Sequence, residues 1–244
     1  MIATRPKTTP TRPRDRPTGV AFVGFDPDAM QFWHELAAEM SKDWFTANKR
    51  RYQAVWVEPT LALLREVARG LSSAYRPFAL AEPGALRIYR DQRFSRDKTP
   101  YKTHIAAIIR VAGDRVAEAG NAVLYLHLGV DGEYAGVGCY RFDATRFARW
   151  RRAVVGAPGA ALLQLIARLR RKGYQVDGYE NYARVPKGFA PDHPRAELLK
   201  YKGLVCRFPP IPAGLLHHPE LAGWLLRHAR ATAPLVLWLR RHVG

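Results

Sequence analysis

Near the start of the chain, apolar positions repeat with the period of an α-helix. In the stretch FDPDAMQFWHELAAEM, Phe32, Trp33 and Leu36 fall on one helical face. Asp26 is a residue type that caps helix N-termini, and Pro27 is favoured at the first helical position. The pattern therefore predicts a helix whose N-cap is Asp26.

A second and much longer helical pattern follows. It starts at residues 41–43 and continues as KDWFTANKRRYQAVWVEPTLALLREVARGL. Pro59 lies inside it and predicts a break or kink, because proline lacks the backbone N–H that a helix interior needs. Gly70 lies near its end, where glycine commonly terminates helices. The two patterns together predict an N-terminal helical layer.

After residue 85 the pattern changes to the alternation of a β-strand. Leu86 and Ile88 alternate with an arginine and a tyrosine, and THIAAIIRVA predicts a second strand at residues 103–112. The connection between them, residues 91–102, is polar. Loops of about 12 residues without secondary structure are commonly functional, so this connection is a candidate site.

Two further strands are predicted in AVLYLHLGVDGEYAGVGCYR, where Asp131-Gly132 between alternating segments indicates a hairpin with a type I′ turn. Later elements are predicted as helices at 143–154 and 158–171, a strand at 174–178, a helix at 195–200, a strand at 203–208 and C-terminal helices at 219–242. Helices, then strands, then helices favour an α+β fold, with a mainly antiparallel sheet packed against N-terminal and C-terminal helices.

Composition bounds the class of protein. The chain has 244 residues, 48% of them apolar, which is enough for a substantial core. We expect a disordered basic tail at residues 1–20 and a single α+β domain at residues 21–244. No apolar run approaches the roughly 20 residues that cross a bilayer, so we expect a soluble, cytoplasmic protein without a membrane span. Cys139 and Cys206 match no paired-ligand spacing and are predicted to be buried thiols.

The formal net charge of +18 changes the functional picture. A field of this sign attracts phosphates, nucleic acid and anionic surfaces. The alternative is that part of the charge reflects an arginine-rich composition without a function. The sequence lacks the glycine-rich nucleotide loops and the zinc-protease and serine-hydrolase motifs, which disfavours those enzyme classes.

Charged side chains are concentrated in LRIYRDQRFSRDKTPYKTHI, residues 86–105. Arginine offers a planar fork of donors for phosphate or carboxylate, and lysine adds a compact cation. The predicted ligand-binding residues of this segment are Arg87, Arg90, Arg93, Lys98 and Lys102. Its carboxylates leave a surplus of positive charge, so we predict a pocket for an anionic ligand.

The same segment contains residue types that transfer protons. Asp91, Asp97 and His104 are the catalytic candidates, because a histidine moves protons near neutral pH and a carboxylate orients it or binds a divalent ion. Spacing alone does not bring the three together. Salt bridges within the loop are the alternative for the two aspartates, and a place on a strand face is the alternative for His104.

At these residues the sequence resembles an uncharacterised bacterial family catalogued as domain of unknown function 2461. RIYRDQRFSRDKTPYKTHI is similar to the long hallmark segment of that family. WFTANKRRY, GVGCYRFDATRFARWRRAV and VPKGFAPDHPRAELLKYKGL are similar to three further segments. The resemblance covers roughly residues 25–240, and the basic tail lies outside it.

The resemblance implies that these segments belong together, and it transfers no catalytic residue because the family has no established activity. It adds further ligand-binding candidates: Asn48, Lys49, Tyr52, Lys187 and His193. On a helix, Asn48 and Tyr52 share a face. We therefore expect these residues to line the same cleft as the charged segment.

Three functions remain open from the sequence. The first is an enzyme or binding protein for an anionic small molecule or another phosphate-bearing ligand, with acid and base groups in the 87–104 segment. The second is a nucleic-acid-binding module, since tyrosines near cations can stack on bases. The third is a non-catalytic fold in which the charges form a structural ion-pair network. The sequence assigns no metal site, cofactor or oligomeric state.

Overall fold

The computed structural model describes residues 21–91, 93, 98–113 and 122–244. The predicted basic tail and Asp97 lie outside the described residues. The N-terminal elements are helices α1 (Ala29–Glu39), α2 (Lys42–Tyr52) and α3 (Glu58–Leu71), followed by a 3₁₀ turn (Ser72–Tyr75). These elements form the helical layer that the apolar periodicity predicts.

The first helix begins later than its sequence signals indicate. Phe32, Trp33 and Leu36 are buried as predicted, but the N-cap is Asp28, without a side-chain capping bond. Asp26 instead accepts a hydrogen bond from the backbone N–H of Asp28 over 2.8 Å. The prediction of Asp26 as the cap is therefore wrong, because its carboxylate closes a turn before the helix.

Pro59 does not break the second helical pattern. A π-helical turn (Gln53–Val57) joins α2 to α3, and Pro59 lies in the first turn of α3. Proline is tolerated there because the first N–H groups of a helix have no partner within the helix. The wider π turn takes up the change in hydrogen bonding, so the chain stays helical from α2 to α3.

The strands form one antiparallel sheet in the described part of the chain. They are β1 (Gly84–Ala85), β2 (His104–Arg110), β3 (Ala122–Gly129), β4 (Gly132–Cys139), β5 (Gln175–Asp177) and β6 (Leu204–Arg207), in the spatial order β1-β2-β3-β4-β6-β5. Every pairing is antiparallel, which confirms the predicted α+β class.

The remaining helices are α4 (Ala144–Val155), α5 (Ala157–Arg171), α6 (Ala196–Leu199) and α7 (Glu220–His242). Asp143 caps α4 by accepting from the N–H of Arg146, as its position in the sequence predicts. Helix α7 is continuous through Pro234 and packs against α3, α5, β3 and β4. The sheet is therefore packed against N-terminal and C-terminal helices.

The strand register separates two faces of the sheet. Ile105 pairs with Leu128 and Ala107 with Leu126, and these side chains are buried in the core beneath the helices. Residues on the alternate positions point away from that core. We call this second side the open face; it carries His104, Tyr125, His127, Tyr134 and Arg207.

The hairpin between β3 and β4 is confirmed, but its turn type is not. Gly129 pairs with Gly132, so the two turn residues are Val130 and Asp131. Neither has the positive φ that a type I′ turn requires, whereas Gly132 has φ +133°. The turn therefore places Asp131 beside the end of β3.

The strand predicted after residue 85 is shorter than expected. Strand β1 covers only Gly84–Ala85, and an isolated bridge joins Tyr89 to Tyr101 further along. The segment is still tied down, since the N–H of Lys102 donates to the Ile88 carbonyl over 2.9 Å. The alternating apolar and polar residues after position 85 therefore belong to a short extended segment that runs beside the chain leading into β2.

Both cysteines are buried free thiols, as predicted. Among the described residues no single helix has the length and apolar content to cross a membrane, although α4 and α5 meet the same criterion together across an 87° bend.

Two glycine-to-alanine substitutions should have opposite effects on stability, because the backbone conformation and the space available differ at the two positions. Gly138 has φ +118°, and a Cβ there would overlap the Leu204 carbonyl of β6, whereas Gly223 in α7 has open space. We expect Gly138→Ala to lower the free energy of unfolding by about 1–3 kcal/mol or more. Gly223→Ala should raise it by roughly 0.5–1 kcal/mol, because alanine favours helix. Urea denaturation measures both, and equal effects would contradict the assigned register.

Candidate functional site

Two histidines and one carboxylate meet on the open face, where β2 begins and β3 ends. Nε2 of His127 donates to Oδ1 of Asp131 over 3.0 Å, and Nδ1 of His104 lies 3.2 Å from Oδ2 of the same carboxylate. The two imidazole ring centroids are 3.9 Å apart. One carboxylate thus bridges two imidazoles, and we call His104, His127 and Asp131 the histidine cluster.

His127 is held in one orientation by its neighbours. Its side chain is only 5% exposed, and the ring of Tyr134 stacks on it with centroids 4.4 Å apart and planes 13° apart. The Tyr125 hydroxyl lies 3.3 Å from Nδ1, so it can donate to that nitrogen while Nε2 donates to Asp131. These contacts direct Nε2 towards the carboxylate.

His104 occupies space that a glycine leaves free. Its cross-strand partner is Gly129, and a Cβ at that position would overlap the Cβ of His104. Burial lowers the pKa of His104 to about 4, and the charges of His127, Lys102 and Arg90 act in the same direction, against the opposing effect of Asp131. The ring is therefore neutral at pH 7.

Asp131 reaches the histidine cluster from the exposed hairpin turn. Its side chain is 54% exposed. Partial burial acts to raise the pKa of Asp131, but the hydrogen bond from His127 and the charges of both histidines lower it overall. Asp131 therefore supplies a negative charge that solvent can reach beside the neutral ring of His104.

Two of the predicted cations act on this cluster. The positive charges of Lys102 and Arg90 both contribute to the low pKa of His104. Lys102 also donates to the Arg87 carbonyl over 3.2 Å, and Arg90 donates to the Tyr101 carbonyl over 3.4 Å. Arg90 and Lys102 are thus held by backbone contacts in the segment that leads into His104, and anion binding there stays a prediction.

Asp91 has a local structural role. It accepts from the Arg93 guanidinium over 2.8 and 3.0 Å, and Arg87 lies 3.7 Å away. Hydrogen bonds from the Arg93 side chain and backbone hold the pKa of Asp91 well below its usual range. Asp91 therefore forms the loop salt bridges that were its alternative role, together with Arg93 and Arg87.

The remaining site candidates of the charged segment are Lys98 and Asp97. Lys98 is exposed. Asp97, the remaining catalytic candidate, lies outside the described residues. Of the three catalytic candidates, His104 is the one that the described structure places in the histidine cluster.

The α2 candidates lie beside the charged segment, where Phe45 stacks on Tyr101 with ring centroids 4.6 Å apart. Asn48 donates to the Trp44 carbonyl within α2, and Lys49 is exposed. Tyr52 is buried against the α1 aromatics, and burial raises its pKa to about 12. Tyr52 thus packs in the core rather than lining a cleft.

Lys187 and His193 lie in the loop before α6. Lys187 is exposed, whereas His193 is half-buried and its Nδ1 accepts from the N–H of Arg195 over 3.0 Å. His193 therefore closes the turn into α6. The contacts of His193 are local and do not place it in the histidine cluster.

The open face continues from the histidine cluster towards β6. The Arg207 guanidinium lies 4.8 Å from the centre of the Tyr134 ring. Gly136 pairs with Arg207 across the strands, so backbone rather than side chain forms the floor there. The face therefore combines a cation, tyrosine hydroxyls and a side-chain-free strip.

Sequence reasoning missed four residues of this site: Tyr125, His127, Asp131 and Tyr134. A signal was present, because Tyr125 and His127 interrupt an apolar strand at alternate positions and so lie on one face. Asp131 was interpreted only as a turn residue. Pairing of His127 with Tyr134 and its approach to His104 depend on strand register, which local spacing does not give.

The neutral His104 ring should make stability depend on pH. Its pKa is about 4 in the folded protein, against an ordinary value of 6.5. Because the folded-state value is the lower one, the unfolded chain takes up the proton first. The stabilisation is therefore complete above pH 6.5 and is lost as pH falls towards 4. We expect His104→Gln to remove up to about 3 kcal/mol of this pH-dependent change in the free energy of unfolding.

Urea denaturation at successive pH values measures the difference between wild type and His104→Gln. The pKa of His228 is also lowered by burial, but His228 remains in both proteins and cancels in the comparison. Parallel pH profiles for the two proteins would contradict a neutral, buried His104.

Comparison with known proteins identifies the family. No curated protein and no solved structure matches the chain. A family model described as "Conserved hypothetical protein (DUF2461)" matches residues 28–238. This range includes the charged segment and the histidine cluster, and it confirms the resemblance seen in the motifs. The protein belongs to the DUF2461 family.

Proposed function

We propose that the protein binds an anionic small molecule, carrying phosphate or carboxylate groups, on the open face beside His104. The observation that supports this proposal is that hydrogen bonds to backbone carbonyls hold Arg90 and Lys102 in the segment that leads into His104, where their charges help to lower the pKa of His104. Cations at the edge of a partly buried polar site attract anions more strongly than they do in bulk water.

The neighbouring side chains supply further groups for such a ligand. Arg207 and Tyr134 lie next to each other on the same face, and Tyr134 is half-buried beside His127. An arginine fork and a tyrosine hydroxyl both donate hydrogen bonds to phosphate or carboxylate oxygens. The proposed ligand would therefore lie over the strip between the charged segment and β6.

Proton transfer by His104, Asp91 or Asp97 and the cytoplasmic location stay predictions from the sequence. In the described residues Asp91 is engaged with Arg93, which favours its structural role over catalysis.

Nucleic-acid binding is the second candidate, and exposed tyrosines favour it. Tyr179 and Tyr140 are 58% and 44% exposed and contact each other with ring centroids 4.8 Å apart. Exposed aromatic rings beside cations stack on the bases of single strands. The net charge of +18 is of the right sign for a phosphate backbone.

A double substitution tests the anion proposal. We expect Arg90→Gln with Lys102→Gln to weaken binding of inorganic phosphate, pyrophosphate or citrate by at least about tenfold, since a charge-assisted hydrogen bond contributes roughly 1.5–3 kcal/mol. Isothermal titration at fixed ionic strength measures the affinity. Circular dichroism checks that both proteins are folded.

The matched control removes the same charge elsewhere. Arg168 and Lys172 are exposed at the end of α5, so Arg168→Gln with Lys172→Gln should leave anion affinity unchanged. Equal loss in both double variants would show that only the overall field matters. Tight binding of a single-stranded oligonucleotide with a steep salt dependence, but of none of the small anions, would favour the second candidate.

A further inference from the structure

We propose that His104, His127 and Asp131 form a binding site for a divalent first-row transition metal ion. The donor atoms of these three side chains all lie within 4.8 Å of one another. This inference stands independently of the anion proposal, because it rests on the histidine cluster alone.

The donor separations fit a single ion. Metal bonds to imidazole nitrogen and carboxylate oxygen are about 2.0–2.2 Å long, so neighbouring donors around one ion are about 3.0–3.5 Å apart. The two histidine–carboxylate separations are 3.0 and 3.2 Å, to different oxygens of Asp131, and all three donor atoms lie within 4.8 Å of one another. Small side-chain adjustments would therefore direct both histidine nitrogens and a carboxylate oxygen at one point.

The surroundings have the features of a supported metal site. Metal-binding histidines usually form a hydrogen bond through the second ring nitrogen, which fixes the ring orientation. In His127 the Tyr125 hydroxyl contacts Nδ1, opposite the Nε2 that faces Asp131. Stacking by Tyr134 restricts the same ring further, so His127 is held ready to coordinate.

Coordination through Nε2 of His127 requires the other tautomer from the one that donates to Asp131. Metal binding needs an unprotonated Nδ1 in His104 and an unprotonated Nε2 in His127. In the metal-bound form each ring would carry its proton on the other nitrogen, which for His127 is Nδ1, where the Tyr125 oxygen can accept a hydrogen bond.

The ligand set indicates the class of ion. Two imidazoles with one carboxylate suit zinc, cobalt, nickel or ferrous iron, whereas magnesium and calcium prefer oxygen ligands alone. Three protein ligands leave at least one coordination position for solvent or another ligand. The half-exposed Asp131 places that position towards solvent.

Positive charge near His104 opposes the binding of a metal cation, and Asp131 counteracts it. Lys102 and Arg90 place positive charge near His104, and this repels a cation. Asp131 offsets part of this repulsion, and an anion in the open coordination position would offset more. Asp131 is therefore the charged ligand on which metal binding at this site depends.

Cobalt titration of the untagged full chain provides the test, because Co²⁺ coordinated by nitrogen and oxygen gives visible d–d absorption bands. We expect one strongly absorbing Co²⁺ per wild-type chain, displaced by Zn²⁺. Asp131→Asn and His104→Gln should each weaken binding by at least about tenfold, the loss that supporting residues alone can cause. Asparagine is favoured in turns, so the hairpin should be retained in the first variant.

The control is His218→Gln, because His218 is exposed beside the exposed His217 and that pair is a competing surface site. The control should bind Co²⁺ as wild type does. Equal affinity in wild type, Asp131→Asn and His104→Gln would overturn the proposal, as would loss of binding in His218→Gln alone.

A measurement on the wild-type chain tests the site without any substitution, so it does not depend on whether the variants fold. Paramagnetic Co²⁺ should shift or broaden the imidazole NMR signals of His104 and His127 before those of His217 and His218. Selective effects on the latter pair would refute the site even if every substitution were destabilising.

Discussion

The register of the β2–β3–β4 ladder is the constraint on which the site depends. Side chains alternate between the two faces of a strand, so a slip of one residue exchanges core and surface positions. In the observed register Leu126 and Leu128 are buried beneath the helices while His127 faces the other way. Burial of a leucine contributes roughly 1.5–3 kcal/mol, so the hydrophobic core itself positions the histidine cluster.

Electrostatics give the two aspartates near the charged segment different roles. Asp91 is engaged by arginines of its own segment and neutralises part of their charge. Asp131 comes from a separate hairpin and is shared by two histidines instead. The site therefore has a carboxylate that contacts two imidazoles rather than the arginines of the charged segment.

Periodicity predicted most of the fold because burial follows secondary structure directly. Phe32, Trp33 and Leu36 are buried as their spacing indicates, and β2, the β3–β4 hairpin and α5 form where the pattern places them. Contacts between residues on neighbouring strands cannot be predicted from periodicity in the same way. Local spacing indicated His104 and its neighbouring cations, but His127 and Asp131 lie more than 20 residues further on and approach it only through sheet pairing.

Some residues whose chemical type suits a binding site are instead buried in the core or used in a turn. Tyr52 shares a helical face with Asn48, yet it packs on Phe32 because α1 crosses that side of α2. Helical spacing gives the face of a side chain but not its tertiary partner. The same limit applies to Asp26, whose side chain closes a turn rather than capping α1.

The π turn between α2 and α3 sets the rotation of α2 about its axis relative to α3. One residue corresponds to about 100° of rotation in an α-helix. Shortening Gln53–Val57 by one position would swing α2 around its axis and carry Phe45 away from Tyr101. The length of this stretch, together with the buried Trp56 that it carries, therefore determines which face of α2 meets the charged segment.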